Sequence, residues 1–288
     1  MNHQLSLPRR EFLQLSATAL AAACTSRTPT MPTLPEMPVV FVSHGAPTMA
    51  LDPLARRDFQ ALAAGLPRPR AIVALSAHWL DAPLTIGTTS TRALLYDFSG
   101  FPAELNQVQY AAPAAAEVAT RVQALVPKCA HAAQRPWDHG VWTPLVHMYP
   151  AADVPVLQLS VPWRWSPTQL HQLGAQLAPL RQEGVLLLAS GGMVHNLRQL
   201  DWTHASAPAT WATDFEAWTR EQLRTHQHDT LLAYRERAPG LQQAHPSDDH
   251  FVPLLVAAGA ASVNNGPVSF PIEGWEYGSL SRTAVKFA

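Results

Sequence analysis

Beyond residue 38 the chain is marked by four runs of consecutive apolar residues, each closing on small or polar ones. Val39-Val40-Phe41-Val42 leads into Ser43-His44-Gly45, and Ala71-Ile72-Val73-Ala74-Leu75 into Ser76-Ala77-His78-Trp79. Val154-Pro155-Val156-Leu157-Gln158-Leu159 leads into Ser160-Val161-Pro162, and Val185-Leu186-Leu187-Leu188-Ala189 into Ser190-Gly191-Gly192. Runs that stay apolar instead of alternating predict strands buried on both faces of a sheet. Helical patterns separate them at 53–66, 114–125 and 167–182, the last with Leu170, Leu173, Leu177 and Leu180 on one face. A further helix is expected over 251–261, followed by strands over 268–272 and 284–287. Strand and helix in alternation predict an α/β fold: a single domain with a mostly parallel central sheet flanked by helices. No internal repeat or second domain boundary interrupts residues 38–288.

The first 37 residues read differently. Pro8-Arg9-Arg10-Glu11-Phe12-Leu13-Gln14 resembles a twin-arginine export motif, and a mild apolar stretch from Leu13 to Ala23 follows it. That stretch is shorter than the roughly 20 apolar residues a spanning helix needs. Ala21-Ala22-Ala23 before Cys24 has the small residues of a cleavage site. Residues 1–23 are thus expected to be a twin-arginine-type signal peptide, with Cys24 a candidate lipidated residue. Residues 24–37, rich in Thr, Ser and Pro, are expected to be a flexible tether. The expected location is exported: periplasmic, or lipid-anchored through Cys24, with a cytoplasmic location as the alternative.

Composition narrows the chemistry. Of 288 residues 47% are hydrophobic and 14% charged, enough apolar chain to bury a core and too little charge for disorder. Twenty Lys+Arg against 21 Asp+Glu leave no overall positive field, which argues against nucleic acid as a partner. Two cysteines support neither a disulfide framework nor a cysteine-rich zinc site. The 13 histidines are the conspicuous feature, so any metal here is expected on nitrogen and oxygen ligands.

Ligands of open α/β sheets bind where loops leave the carboxyl ends of the strands. His44 and His78 follow the first two predicted strands, His195 follows the strand over 185–189, and His250 stands at the entry to a helix with Pro253 in its first turn. Taken singly, a histidine is most often a packed residue satisfied by a carbonyl. His3, His131, His171, His204, His226 and His228 are read that way, and His147 as packing. Four histidines converging on one cleft point instead to a divalent iron, zinc or manganese site. His245 is a competing candidate ligand, ranked below His250.

The segments that carry these histidines resemble a known family. Ser43-His44-Gly45-Ala46-Pro47, Ser76-Ala77-His78-Trp79, Asp138-His139-Gly140, Ser190-Gly191 with His195-Asn196-Leu197, His250-Phe251-Val252-Pro253-Leu254-Leu255 and Tyr277-Gly278-Ser279-Leu280-Ser281 occur in order from residue 38 to the C-terminus. Together they resemble the class III extradiol ring-cleavage dioxygenases, in particular the 4,5-DOPA dioxygenase branch. The resemblance implies one α/β domain holding one ion of Fe(II) or Zn(II) per chain. It implies His44, His78 and His250 as metal ligands, and His195 as general acid/base and candidate fourth ligand. It places His139 beside the substrate. The expected partners are a small catechol, DOPA-like or a related phenolic, and O₂. Trp79 is expected to face the site, while Tyr277 and Arg198 are candidates to orient a substrate.

A zinc-dependent hydrolase on the same ligands is the alternative, since three histidines and a water serve hydrolysis equally well. Asp248, Asp249 or His195 would then be the base. A third reading is a metal-binding protein that keeps the fold without the reaction.

Overall fold

In the computed structural model the described residues are Met1, 35–91, 93–201 and 207–288. The signal peptide expected over 1–23, Cys24, and the tether as far as residue 34 lie outside them, Met1 apart. Strand β1 (Val39–Ser43), β2 (Ala71–Leu80), β3 (Thr85–Ile86), β4 (Ala130–His131), β5 (Val156–Val161), β6 (Val185–Gly191), β7 (Val268–Ile272), β8 (Trp275–Glu276), β9 (Leu280–Ser281) and β10 (Ala284–Phe287) follow in chain order. Eight of them form one sheet in the order β4-β3-β5-β2-β6-β1-β10-β7, and β8 and β9 pair separately. The centre is parallel, with β2 between β5 and β6 and β6 beside β1. Antiparallel pairs β1/β10 and β10/β7 extend one side, and β3 runs antiparallel to β5 on the other.

Every residue of β1, β5 and β6 is buried. Successive side chains point to opposite faces, and the two faces carry separate cores. Val39, Phe41, Val73, Leu75 and Leu187 enter one core with Leu170, Leu173, Phe215 and Leu254. Val40, Val42, Ile72, Ala74 and Leu188 enter the other with Phe59, Leu62, Trp142 and Leu145. Helices Pro53–Ala64 and His139–Met148 therefore cover one face. Helices Pro167–Leu177, Thr210–Arg224 and Val252–Ala261 cover the other. Leu34–Ala288 makes one α/β unit, as the pattern predicts, and the fold takes in Met37, which is buried and donates its N–H to Arg181 O at 3.0 Å. Among the described residues no helix is long and apolar enough to cross a membrane.

Local chemistry sets the helix ends. Asp52 caps Pro53–Ala64 by accepting from Leu54 N at 2.9 Å and Ala55 N at 3.2 Å, with Pro53 in the first turn. Ser166 and Gln169 form a capping box at the start of Pro167–Leu177. The helix expected to run unbroken over 167–182 stops at Leu177 and resumes as Pro179–Gln182, because Pro179 lacks the N–H that would continue the ladder. Val252–Ala261 is buried on all sides. It meets Pro167–Leu177 backbone to backbone: a Cβ on Gly174 would lie 2.0 Å from Val256 O, and one on Gly259 1.9 Å from His171 O. This contact fixes the helix entered from His250.

Candidate metal centre

His44 leaves β1 and is held to the neighbouring strand by its N–H, which donates to Gly191 O at 3.0 Å. His78 lies within β2, not beyond its end. The strand continues to Leu80 after its register with β5 breaks between Leu75 and Leu80, and that irregularity takes Ser76 to Trp79 out of regular pairing with β5. His139 opens the helix His139–Met148. His195 follows β6 and donates its N–H to Ala244 O at 3.0 Å. His250 ends the short turn Asp248–His250, and its carbonyl accepts from Gly192 N at 2.9 Å. Gly191 allows the close approach, since a Cβ there would sit 2.1 Å from that carbonyl.

All five rings line one pocket of about 190 Å³, together with Phe98, Phe101, Leu197 and Leu280. Ring centroids of His44 and His78 are 4.9 Å apart, those of His44 and His250 5.3 Å, and those of His78 and His250 5.1 Å. His139 lies 3.9 Å from His78 and 5.3 Å from His44, while His195 stacks on His250 at 3.7 Å. Ligand atoms of His44, His78 and His139 all fall within 4.8 Å of one another, a grouping that could hold a metal ion.

Outward hydrogen bonds orient the rings. Ser190 Oγ donates its only proton to Gly140 O at 2.5 Å, so it accepts from His44 Nδ1 at 3.0 Å. His44 Nε2 is thereby left with its lone pair, 2.9 Å from His78 Nε2. Asp97 accepts from His139 Nδ1 at 2.9 Å and His139 N at 3.1 Å, and its other oxygen is 3.5 Å from His78 Nδ1. Asp249 accepts from His250 Nδ1 at 2.6 Å. With Nδ1 of His44, His139 and His250 bonded to a serine or carboxylate, their Nε2 atoms keep the lone pair a cation needs, an arrangement typical of metal-ligating histidines.

Electrostatics keeps these lone pairs available. Burial, reinforced by the surrounding histidines, holds His44 well below the usual imidazole range. Burial, then His139 and His250, brings His78 down to about 3 despite the opposing carboxylates. Burial and His250 bring His195 down to about 2. Burial would raise Asp97 and Asp249, yet hydrogen bonds from His139 and His250 outweigh it and both carboxyls sit below their usual range. Neutral imidazoles backed by ionised carboxylates fit a divalent cation, which needs deprotonated ligands.

The structure thus brings His44, His78, His139, His195 and His250 together. His245 stays outside the pocket, buried with its Nε2 donating to Met193 O at 3.0 Å. Trp79, expected to face the site, does not line it. Its ring packs by Gly87 and under the Arg135 guanidinium, 5.0 Å from the ring centre, because consecutive strand residues point to opposite faces. Tyr277 lines a neighbouring pocket with Glu276 and Arg282, and Arg198 is exposed. Sequence reasoning missed Asp97, Phe98, Phe101 and Ser190. An acid and an aromatic side by side in a loop without periodicity give no local signal.

Comparison with known proteins agrees with this geometry. Residues 39–288 match the family described as the catalytic LigB subunit of aromatic ring-opening dioxygenase. The 4,5-DOPA dioxygenase extradiol of Escherichia coli K12 is 38% identical over 258 residues, covering 87% of this chain and 94% of that one. The protein of the same name from Beta vulgaris is 36% identical over 256 residues, covering 86% and 95%. The crystal structure of an uncharacterized Escherichia coli K12 protein superposes with a TM-score of 0.73 at 34% identity, over 88% of this chain and 100% of that one. The chain belongs to the LigB family of aromatic ring-opening dioxygenases, and is an extradiol ring-cleavage enzyme of the kind its histidine segments resemble.

Proposed function

We propose that this chain opens the ring of a catechol with dioxygen, using one iron(II) ion bound by His44, His78 and His250, a set that could equally hold zinc(II). One observation carries the ligand choice. Imidazoles that share an ion at a metal–nitrogen distance of about 2.1 Å have centroids about 4.6–5.3 Å apart for bond angles of about 90–110°. The three separations among His44, His78 and His250 are 4.9, 5.1 and 5.3 Å. His139, at 3.9 Å from His78, is too close for that pair to share an ion through Nε2, although it falls in the tightest group of donor atoms. It is read as a residue beside the substrate.

Bound iron(II) supplies a path for electrons from the diol to dioxygen that zinc lacks. The protein's own task is to move protons and exclude water. His195, neutral and held flat against His250, takes the proton of one ring hydroxyl at a ring nitrogen and can return it later, and an anionic substrate beside it raises its proton affinity. At 3.7 Å from His250 its ring is, by the same measure as His139, too close to share the ion with that ligand, so it serves as the acid–base and not as the candidate fourth ligand. Phe98 and Phe101 shield the substrate ring. We infer also that residues 1–23 direct export by the twin-arginine route, with Cys24 the first residue of the mature chain.

The experiment is oxygen uptake by protein loaded separately with Fe(II) and Zn(II). Fe(II)-dependent uptake with catechol, giving a yellow semialdehyde, is the expected result. No uptake with any catechol, alongside ester or amide cleavage with Zn(II), would replace this reading by a zinc hydrolase.

A further inference from the structure

The rim of the histidine pocket is built from side chains that a metal site does not need. Phe101 and Leu197 are large apolar residues, 40% and 60% exposed, yet both line the pocket. From Phe101 a chain of rings leads inward. Phe101 meets Phe98 edge to face at 5.7 Å, and Phe98 meets His139 edge to face at 5.8 Å. Phe98 is braced from behind by Tyr96 at 6.2 Å and by Trp142 at 6.1 Å. Trp142 is fully buried and donates its Nε1–H to Leu95 O at 3.1 Å, which ties the segment to the helix His139–Met148. This braced aromatic path from the surface to the imidazoles offers a substituent on the substrate an apolar surface to bury against.

The acids nearest the pocket lie behind its lining. Asp97 and Asp249 sit directly behind His139 and His250 as ionised carboxylates. Glu276 lies against Gly45, with its Oε2 3.2 Å from where a Cβ on that glycine would be. None of these acids lines the pocket; apart from its histidines the lining is apolar, with no cation among the described residues to pair an anionic substituent, whereas an apolar one would meet Phe98, Phe101 and Leu197.

We propose that this site selects catechols carrying a short, uncharged apolar substituent, with Phe98, Phe101 and Leu197 reading that substituent at the pocket rim. The proposal rests on the ring-cleavage reading above for its catechol core. The pocket, at about 190 Å³, sets a limit of one ring with a few added carbons. Each buried methylene is expected to improve the interaction about fourfold until the pocket is full.

Two measurements on the full chain test this. Dissociation constants with Zn(II)-loaded protein are measured for catechol, 4-methylcatechol, 4-ethylcatechol, protocatechuate and DOPA, and kcat/KM for the same series with Fe(II). The expected ladder is a gain of about fourfold per carbon, with both carboxylated diols weaker than catechol itself. Phe101→Ala and Leu197→Ala should flatten it, costing 4-ethylcatechol more than catechol. A flat ladder in the unmodified protein, or preference for protocatechuate or DOPA, would overturn the proposal. Absence of turnover with an intact binding ladder would instead count against the ring-cleavage reading and leave the selectivity standing.

Discussion

The imidazole of His195 lies flat on that of His250, their centroids 3.7 Å apart and their planes 4° from parallel. The two rings nevertheless have different surroundings. His250 Nδ1 is bonded to Asp249 at 2.6 Å, which would suit Nε2 to the ligand role proposed for it, whereas among the described residues His195 has no such carboxylate bonded to its ring. Their substitutions should therefore separate. His250→Ala is expected to abolish metal binding and with it all activity. His195→Ala should keep one ion per chain and lose about 10²- to 10⁴-fold in kcat, the usual worth of a positioned acid–base. Metal content by mass spectrometry alongside turnover checks both, and loss of the ion from His195→Ala would make that residue a required ligand.

Asp97 serves two histidines at once, accepting from His139 and lying 3.5 Å from His78 Nδ1. Asp97→Asn keeps the shape but removes the charge that orients both rings. A tenfold to 100-fold loss of metal affinity is expected, as for other carboxylates behind ligating histidines. His139→Ala should change metal affinity less than Asp97→Asn, because in the proposed set only His78 of the two is a ligand. A competition titration with a chelating dye ranks them, and a larger loss in His139→Ala would move His139 into the ligand set.

Acid should weaken the metal-free protein through its buried histidines. Burial brings His245 down to about 4, and His78 and His195 lie lower still, against about 6.5 in the unfolded chain. Between those values the unfolded chain binds protons that the folded one refuses, so stability is full above about pH 6.5 and falls as pH drops toward 4. His245 alone accounts for about 3 kcal/mol at the low end. Urea midpoints at pH 8, 6.5, 5 and 4.5 should decline steadily below 6.5, and His245→Gln should lessen the slope. A midpoint unchanged over that range would show these histidines are not held neutral by the fold.

How much of this was legible depended on whether the signal was local. The apolar runs at β1 and β6 declare strands buried on both sides, and their alternate residues do divide between two cores. The two-residue strands β3, β4, β8 and β9 carry no pattern of their own, since pairing partners alone define them. The helix His139–Met148 is hidden because nearly all its residues are buried and Pro144 lies inside it, so no polar stripe marks it. His44, His78, His195 and His250 stand out by type and by their place near strand ends or a helix entry, whereas His139 is legible only through the family segment that carries it. Asp97 does not, because its partner His139 is 42 residues away in the chain. Trp79 misled through adjacency: neighbours on a strand share sequence but not a face.

The leader offers a prediction independent of the site. Arg9 and Arg10 precede an apolar stretch that ends at Ala21-Ala22-Ala23-Cys24. Replacing both with lysine keeps the charge but removes the paired guanidinium groups, and should leave the chain unprocessed in the cytoplasm. The unmodified chain should be recovered outside it, beginning at Cys24, with a diacylglyceryl mass increment if that thiol is the anchor. Processing that survives the double substitution would rule out the twin-arginine route.

Gly174 and Gly259 offer the last test, and it concerns how the fold reaches the site. Each glycine sits where its helix touches the backbone of the other, with room for a hydrogen but not a methyl. Gly174→Ala would drive a Cβ to 2.0 Å from Val256 O, so the two helices must part. Such overpacking costs about 1–3 kcal/mol. Because Val252–Ala261 begins two residues after His250, the shift should also loosen that ligand. The expected outcome is a lower urea midpoint together with weaker metal affinity, while Gly65→Ala, at an ordinary van der Waals distance from Leu62 O, changes neither markedly. Lost stability with metal affinity intact would mean the turn Asp248–His250 is held independently of that helix, by Gly192 N on the carbonyl of His250 and by Arg235 on Asp248.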